Sequence, residues 1–447
     1  MGRRRRVGVL LLWLWPGLGG AAEPSTEDGA APAPAPQLRP WHVLTRLEMA
    51  TLALLPRAGP GEGEGFAQVE PTAILDGGPG FGVSVGAPVQ LRLWGGGEGA
   101  GLVRREDWDS LSDWGQLVRA LKLGSDASPV ALWLGPLEGF HLLSGHLVRR
   151  YSNRGNPDYH PAGALLTTKL APLYVEAFAS DVLGARLVGA EIELDVQHVL
   201  FGPPRQKGRY TLALSAVHDW GRAGGRAPPV TLAHLDATAV VLVRRGFELH
   251  VLAGWGGRPG EGGAWGAVAG LGADAVTPTL DVLARLEVRR QHGGFRQGFF
   301  GPDYELARFR AAGSEGAPLA QSPFPGGFSV YGEAVVGWDA VWLGDVAQRH
   351  LRLSLAAEAF GWGRLDVDGR LAVQLARRNV ELAVKGLVVG MGQPGARYLV
   401  AGEARWRFTG GRLYATGQGG TLLVPSVDRS LRQGAFASVG LGVDHAR

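Results

Sequence analysis

The chain has 447 residues, with 45 Lys and Arg against 41 Asp and Glu, and no cysteine. The lack of cysteine excludes a disulfide framework, a thiolate metal site, a cysteine nucleophile and the acylated cysteine of a lipoprotein anchor. Four arginines, Arg3 to Arg6, and no acid stand in residues 1–22, so the formal charge of +4 vanishes without that stretch. A neutral body with scattered charge offers no concentrated basic surface, which excludes nucleic acid as a partner.

Residues 1–22, MGRRRRVGVLLLWLWPGLGGAA, join a basic cluster, a short apolar core from Val7 to Trp15 and small residues up to Ala22, the composition of a cleaved secretory signal. The apolar core is shorter than the roughly 20 residues a membrane-spanning helix needs, and no later run reaches that length. Residues 23–40, EPSTEDGAAPAPAPQLRP, hold nothing from which to build a core. They read as an Ala/Pro-rich periplasmic tether, or equally as a plain disordered terminus. Residues 41–447 form the expected folded body.

That body is organised around residues 351–389, where three successive runs alternate apolar and polar side chains. In the middle run Leu365, Val367, Leu371, Val373 and Leu375 share one face, while Asp366, Asp368, Arg370 and Gln374 share the other. This is the period of a strand with one oily and one wet face. Strand-like runs begin near Val43 and recur at 66–75, 81–94, 130–134 and 140–151. From 164 they become steadier, at 164–170, 173–179, 186–200, 210–218, 232–243, 247–255, 265–273 and 280–289. After a long break they return at 328–341, 351–389, 397–408, 412–418 and 434–445. The pattern predicts an all-β fold, a transmembrane antiparallel β-barrel of about sixteen strands, within about 14 to 18.

The run Tyr398, Val400, Gly402, Ala404, Trp406, Phe408 carries aromatics at both ends of a small apolar face. At about 3.3 Å per residue it spans roughly 33 Å, and a tilt near 40° reduces this to about 25 Å, the height of a lipid-facing band. Phe247, Trp255 and Trp338 extend the expected aromatic girdle. Among the 71 glycines, Gly270, Gly332 and Gly402 lie inside strand-like runs, as suits strands bending around a curved sheet. The wet faces supply a candidate lumen lining of mixed sign: Glu191, Glu193 and Asp195; Arg285, Glu287 and Arg289; Glu358; Asp366, Asp368 and Arg370; Lys385; Glu403 and Arg405. Such a mixture argues against strong ion selectivity. An exported β-sandwich or propeller would also put these residues in water, but seldom uses so many long strands.

Three stretches depart from the strand pattern. In residues 107–124, DWDSLSDWGQLVRALKLG, the residues Trp108, Leu111, Trp114, Leu117 and Leu121 recur at helical spacing, and Ser110 with Asp113 can form a capping box. One short amphipathic helix is expected there, as a plug in the lumen, a docking element at its mouth, or a turn packed on the barrel end. Residues 144–163, SGHLVRRYSNRGNPDYHPAG, gather Ser144, His146, Arg149, Arg150 and Arg154. Ser144 and His146 share a strand face, but no third group orients the histidine, so a hydrolase has little support. The arginines suit a lumenal ladder, a loop anchor or a bidentate site for phosphate or carboxylate groups. Residues 292–327 form a long loop expected outside the cell, folded inward as a constriction or projecting as a binding surface, with Phe299, Phe300, Tyr304 and Phe309 as its sticky core. Loops 202–209 and 221–229 are the next candidates for the outer face. Histidines and carboxylates do not cluster at metal-ligand spacing, so no metal or cofactor is expected.

From Val43 to His445 the chain resembles Gram-negative outer-membrane β-barrel proteins of porin-like size. Its RREDWDSLSDW and GHLVRRYSNRGNPDYHPAG stretches are similar to those of an uncharacterised barrel family. The resemblance implies the cell outer membrane, contact with its lipid and lipopolysaccharide, insertion by the barrel assembly machinery and room for a homo-oligomer. It carries over no catalytic residue. Barrels of this class usually end on an aromatic residue read by that machinery; this chain ends GLGVDHAR, leaving the signal to Phe436 and Val443 or an atypical last strand. The expected function is a porin-like channel for small solutes. The alternative is a non-conducting plugged barrel that presents loops for adhesion, envelope organisation or export partners, and the third reading is an outer-membrane acyl hydrolase.

Overall fold

Strands with one oily and one wet face leave unpaired edges unless their sheet closes on itself. The computed structural model describes residues 41–56, 63–96, 99–125, 127–155, 157–184, 186–202, 209–220, 229–260, 263–308, 324–339, 350–375, 379–408, 412–425 and 431–446. The expected signal and tether, residues 1–40, lie outside them. Within the described residues twenty-one antiparallel strands, from His42–Pro56 to Leu431–Ala446, form one sheet. The first strand closes on the last, with Leu44 opposite Ala446 and Pro56 opposite Gly434. The result is a closed up-and-down barrel.

The strand count corrects the expectation of about sixteen. The second strand, Glu64–Asp76, pairs along one edge with two short strands set end to end, Phe81–Gly86 and Val89–Trp94. Pro88 lies between them and has no N–H for the ladder, so one wall position is broken in two. The wall therefore has 20 positions, an even number. Strands as short as Val118–Leu123 and Val130–Gly135 put only three residues on each face, too few to show a clear alternation. Two further assignments change: residues 140–151 fold inside the barrel, and residues 118–123 belong to the wall.

The outer surface is apolar along its length. Leu371, Leu382, Val384, Val400 and Leu441 are all exposed, and such a continuous oily wall calls for lipid. Tyr398 and Trp406 are exposed near the two ends of strand Arg397–Arg407. Strand glycines also make room for inward rings. A Cβ at Gly189 would lie 2.6 Å from the Phe178 ring, and one at Gly442 would lie 2.2 Å from the Tyr414 ring. Each glycine stands directly opposite its aromatic residue in the register.

Residues 107–124 do not form the expected helix. A 3₁₀ turn, Leu111–Leu117, runs straight into strand Val118–Leu123. The capping box is formed, with Ser110 N–H donating to Asp113 Oδ2 at 3.0 Å. The apolar residues do not plug the lumen: Leu111, Trp114 and Leu117 are exposed, Trp108 meets Trp114 edge-on at 5.2 Å, and Leu121 pairs with Val83 and Leu134 in the wall. Ser112, Asp113 and Gln116 are buried instead. The interior of this barrel is its polar side, so an amphipathic turn faces inward with its polar residues.

Alternating strand directions assign each loop to a rim. Residues 136–162 and the loop after His292 leave the same rim, whereas the loop after Asp195 opens on the opposite one, against expectation for 202–209. Strand Tyr210–Asp219 ends at the rim of 136–162, and residues 221–228 of the expected loop 221–229 lie outside the described residues.

Candidate functional site

Two segments, residues 136–162 and 293–308, turn from one rim into the lumen and pack on each other. In the first, Phe140 and Tyr151 bridge antiparallel to make a small hairpin. Its tip runs beside the second segment as a short parallel ladder: Gly298 N–H donates to the His146 carbonyl at 2.7 Å, Phe300 N–H to Leu147 at 3.1 Å and Arg149 N–H to Phe300 at 3.2 Å. Phe295, Phe299, Phe300 and Tyr304 join Leu142, Leu147, Val148 and Tyr151 in one buried apolar core. The sticky loop residues thus build a core within the barrel and do not project as an outer binding surface. Phe309 lies outside the described residues.

Polar anchors tie these segments to the wall at successive strands. Ser144 Oγ donates to Glu191 Oε2 at 3.1 Å and Arg149 Nη2 to Glu287 Oε1 at 3.2 Å. Arg289 Nε also donates to Glu287, at 2.7 Å, and its Nη1 to Glu358 at 2.7 Å. Tyr331 lies between the Arg149 and Arg289 guanidinium groups, each 4.1 Å from its ring centre, which adds cation–π attraction to the ion pairs. Arg150 donates to Asp368 and Ser354 and stands 3.5 Å from Glu333. Its φ of 52° makes it the sole non-glycine residue with positive φ among the described residues. That conformation costs about 1–2 kcal/mol and persists because three wall groups hold the guanidinium. Further round, Asp303 pairs with Arg397 and Tyr304 donates to Asp219.

Burial resists ionisation of Asp303, yet Arg397, Arg296 and Arg364 hold its carboxyl below the usual range. Burial and then the Arg119 charge lower Arg154 to about 10; its Nε donates to the Pro161 carbonyl at 3.1 Å. His141 is pushed down to about 4 by burial, with Glu333 opposing that shift and Arg149, Arg150 and Arg285 adding to it.

His146, on the hairpin, meets His234 and Asp236 of strand Val230–Arg244, and the three offer ligand atoms within 4.8 Å of one another. The distances would admit a cation, but the hydrogen bonds argue for an anchor. Arg285 donates to His146 Nε2, so the ring proton sits on Nδ1 and is given to Asp236. A metal on Nδ1 would need a proton on Nε2, and that N–H would face the Arg285 donor. The same partners separate Ser144 from His146: the serine serves Glu191 and the histidine serves Asp236, both inside the barrel.

The remaining expected lining residues are placed as follows. Glu193 stands opposite Tyr174 and Ala213 in the register. Asp195 accepts from His198 N–H at the start of the short helix Val196–Phe201. Asp366 accepts from Arg364 Nη2 at 2.7 Å. Arg370 stands opposite Lys385, both near Glu403 at 3.7 and 3.9 Å. Arg405 lies over the Tyr414 ring at 5.1 Å. The structure adds Asp219, His234, Asp236, Asp303 and Glu333 to the residues that matter. Except for Asp303, which lies in the turn before helix Tyr304–Arg308, their sequence signal is the alternation: Val230, Leu232, His234 and Asp236 are buried at every second position.

A cleft lies between the inserted segments and strands Gly327–Trp338 to Val380–Met391, lined by Arg149, Arg150, Arg296, Asp303, Glu358 and Asp368 among others. Its charges are largely engaged with one another. A second cavity, of about 200 Å³, lies across the lumen against the first and last strands.

No family model matches the chain, and no curated protein matches it. Among solved structures it is similar to outer-membrane proteins. OpdK of Pseudomonas aeruginosa is 12% identical over 92% of this chain and 100% of that one, with a TM-score of 0.37. OccAB3 of Acinetobacter baumannii is 9% identical over 91% of this chain and 99% of that one, with a TM-score of 0.36. A BenF-like porin from Pseudomonas fluorescens Pf-5 is 10% identical over 91% of this chain and 100% of that one, again at 0.36. At such scores the likeness adds nothing to the closed barrel that this chain's own strand pairing establishes.

Proposed function

We propose that this barrel spans the outer membrane of a Gram-negative bacterium as a porin-like channel for small solutes, narrowed from the outside by its two inserted segments. The observation that carries the reading is water inside the wall. Lys385 and Glu403 share the inward face with Arg370, yet their side chains keep 57% and 45% of their exposure. An oily exterior around a wet interior is the arrangement of a conducting barrel. The mixed signs of Arg370, Lys385, Glu403 and Arg405 support weak ion selectivity. Planar-bilayer recording tests the proposal: reconstituted, heat-modifiable protein should give stepwise currents, and folded protein that passes none would refute it.

The buried core shared by the two segments favours a second reading, a plugged barrel that works by presenting its loops. The same recording separates the two. A hydrolase is disfavoured because Ser144 and His146 have different partners within the barrel.

A further inference from the structure

The two sides of the lumen differ in kind. Every wall anchor named above lies on strands from Leu187–Asp195 to Arg397–Arg407, or on residue Asp219 at a strand end between them. The second cavity lies beyond that arc, where strands Leu413–Pro425, Leu431–Ala446, His42–Pro56 and Glu64–Asp76 close the barrel. The inserted segments reach it with Pro157 alone among its lining residues. The rest of the lining is neutral: the amides of Gln68, Gln90 and Gln418 and the apolar surfaces of Leu52, Leu54 and Phe436. Arg104 is its single charged group, and that guanidinium is committed to Asp107 and Asp158.

We infer that solute passes through this neutral cavity, past Gln68, Gln90 and Gln418, and that it is uncharged and hydroxyl-bearing. This rests on the channel reading above and specifies its path and cargo. A charged solute entering here would lose water and find no free counter-charge in the lining. Hydroxyl groups both donate and accept, as amides do, while the C–H faces of a polyol or sugar suit the leucines and the Phe436 ring. The charged cleft opposite, where Arg149, Arg150 and Asp303 are paired, holds the inserted segments in place.

The native chain has no cysteine, so single thiols report their own surroundings. Gln68→Cys, Gln418→Cys and Asp366→Cys, the last in the charged cleft with its side chain 22% exposed, would be recorded in bilayers before and after a bulky methanethiosulfonate reagent. Conductance should fall by more than half at Gln68→Cys and Gln418→Cys and hold at Asp366→Cys. Block at Asp366→Cys alone overturns the path. The unsubstituted barrel in liposomes gives an independent measurement: swelling should be several-fold faster in a neutral hexose than in its carboxylate or amino analogue. Equal rates, or a faster charged solute, overturn the cargo assignment. A barrel silent in both assays refutes the channel reading and this inference with it, whereas a conducting barrel blocked on the wrong side refutes this inference alone.

Discussion

Glu287→Gln is the sharpest test of how the lumen is held. Glu287 is fully buried and faces three guanidinium groups, with Arg149 Nη2 at 3.2 Å, Arg289 Nε at 2.7 Å and Arg285 in closer contact. Removing one partner of a buried ion pair costs about 3–5 kcal/mol because the other charge is left uncompensated. Arg285 and Arg289 are fixed on the same strand as the acid, Leu280–His292, whereas Arg149 belongs to the inserted hairpin. The loss therefore falls on docking of the hairpin and not on pairing within the wall. At about 1.4 kcal/mol per power of ten, the ratio of docked to released hairpin should fall by about two to three and a half powers of ten. Single-channel recording should show larger and noisier currents from a barrel that still shifts on heating. The double variant Arg149→Met, Glu287→Gln should recover part of the quiet state, since it removes one of the stranded cations. Currents from folded Glu287→Gln that match the parent in mean and noise would refute this account of the anchors.

Acidification should loosen the hairpin through His141. Its folded-state value near 4 lies below the unfolded 6.5, so docking is strongest above pH 6.5 and weakens as pH falls toward 4, by about 1.4 kcal/mol per unit. Current noise should rise across that window and should not in His141→Gln. Acid also weakens the Asp303–Arg397 tie, but later: with the carboxyl held below its usual range it stays intact across the His141 window and is lost only on further acidification. Noise in Asp303→Asn that already exceeds the parent's at pH 7 would agree with this; equality would not. On the outer wall, Leu371→Arg should cost about 2–4 kcal/mol in lipid, while Gln374→Arg on the inward face should cost little; denaturant midpoints in bilayers compare them. Gly115→Val should lower the temperature of the heat shift, because a Cβ there lies 2.3 Å from Ala162 N, and overpacking of this kind costs about 1–3 kcal/mol.

The chemistry of each wall surface is legible strand by strand. A period of two is a local property, so residues 365–375 declare an oily and a wet face whatever they pack against, and Asp366, Asp368 and Arg370 could be placed inward without a fold. The number of wall positions was less legible, since six-residue strands carry too few alternations and Pro88 breaks one position in two. At 111–117 helical spacing shows that one face is apolar without showing whether oil lies inside or outside. Closure of the wall puts the oil outside, and the polar residues of the turn face in. The tertiary structure also brought His146 against Asp236 and Arg150 against Asp368, contacts 90 and 218 residues apart along the chain. Such pairs leave no periodic trace in a sequence, because they depend on where a closed wall returns beside a loop that has folded back into it.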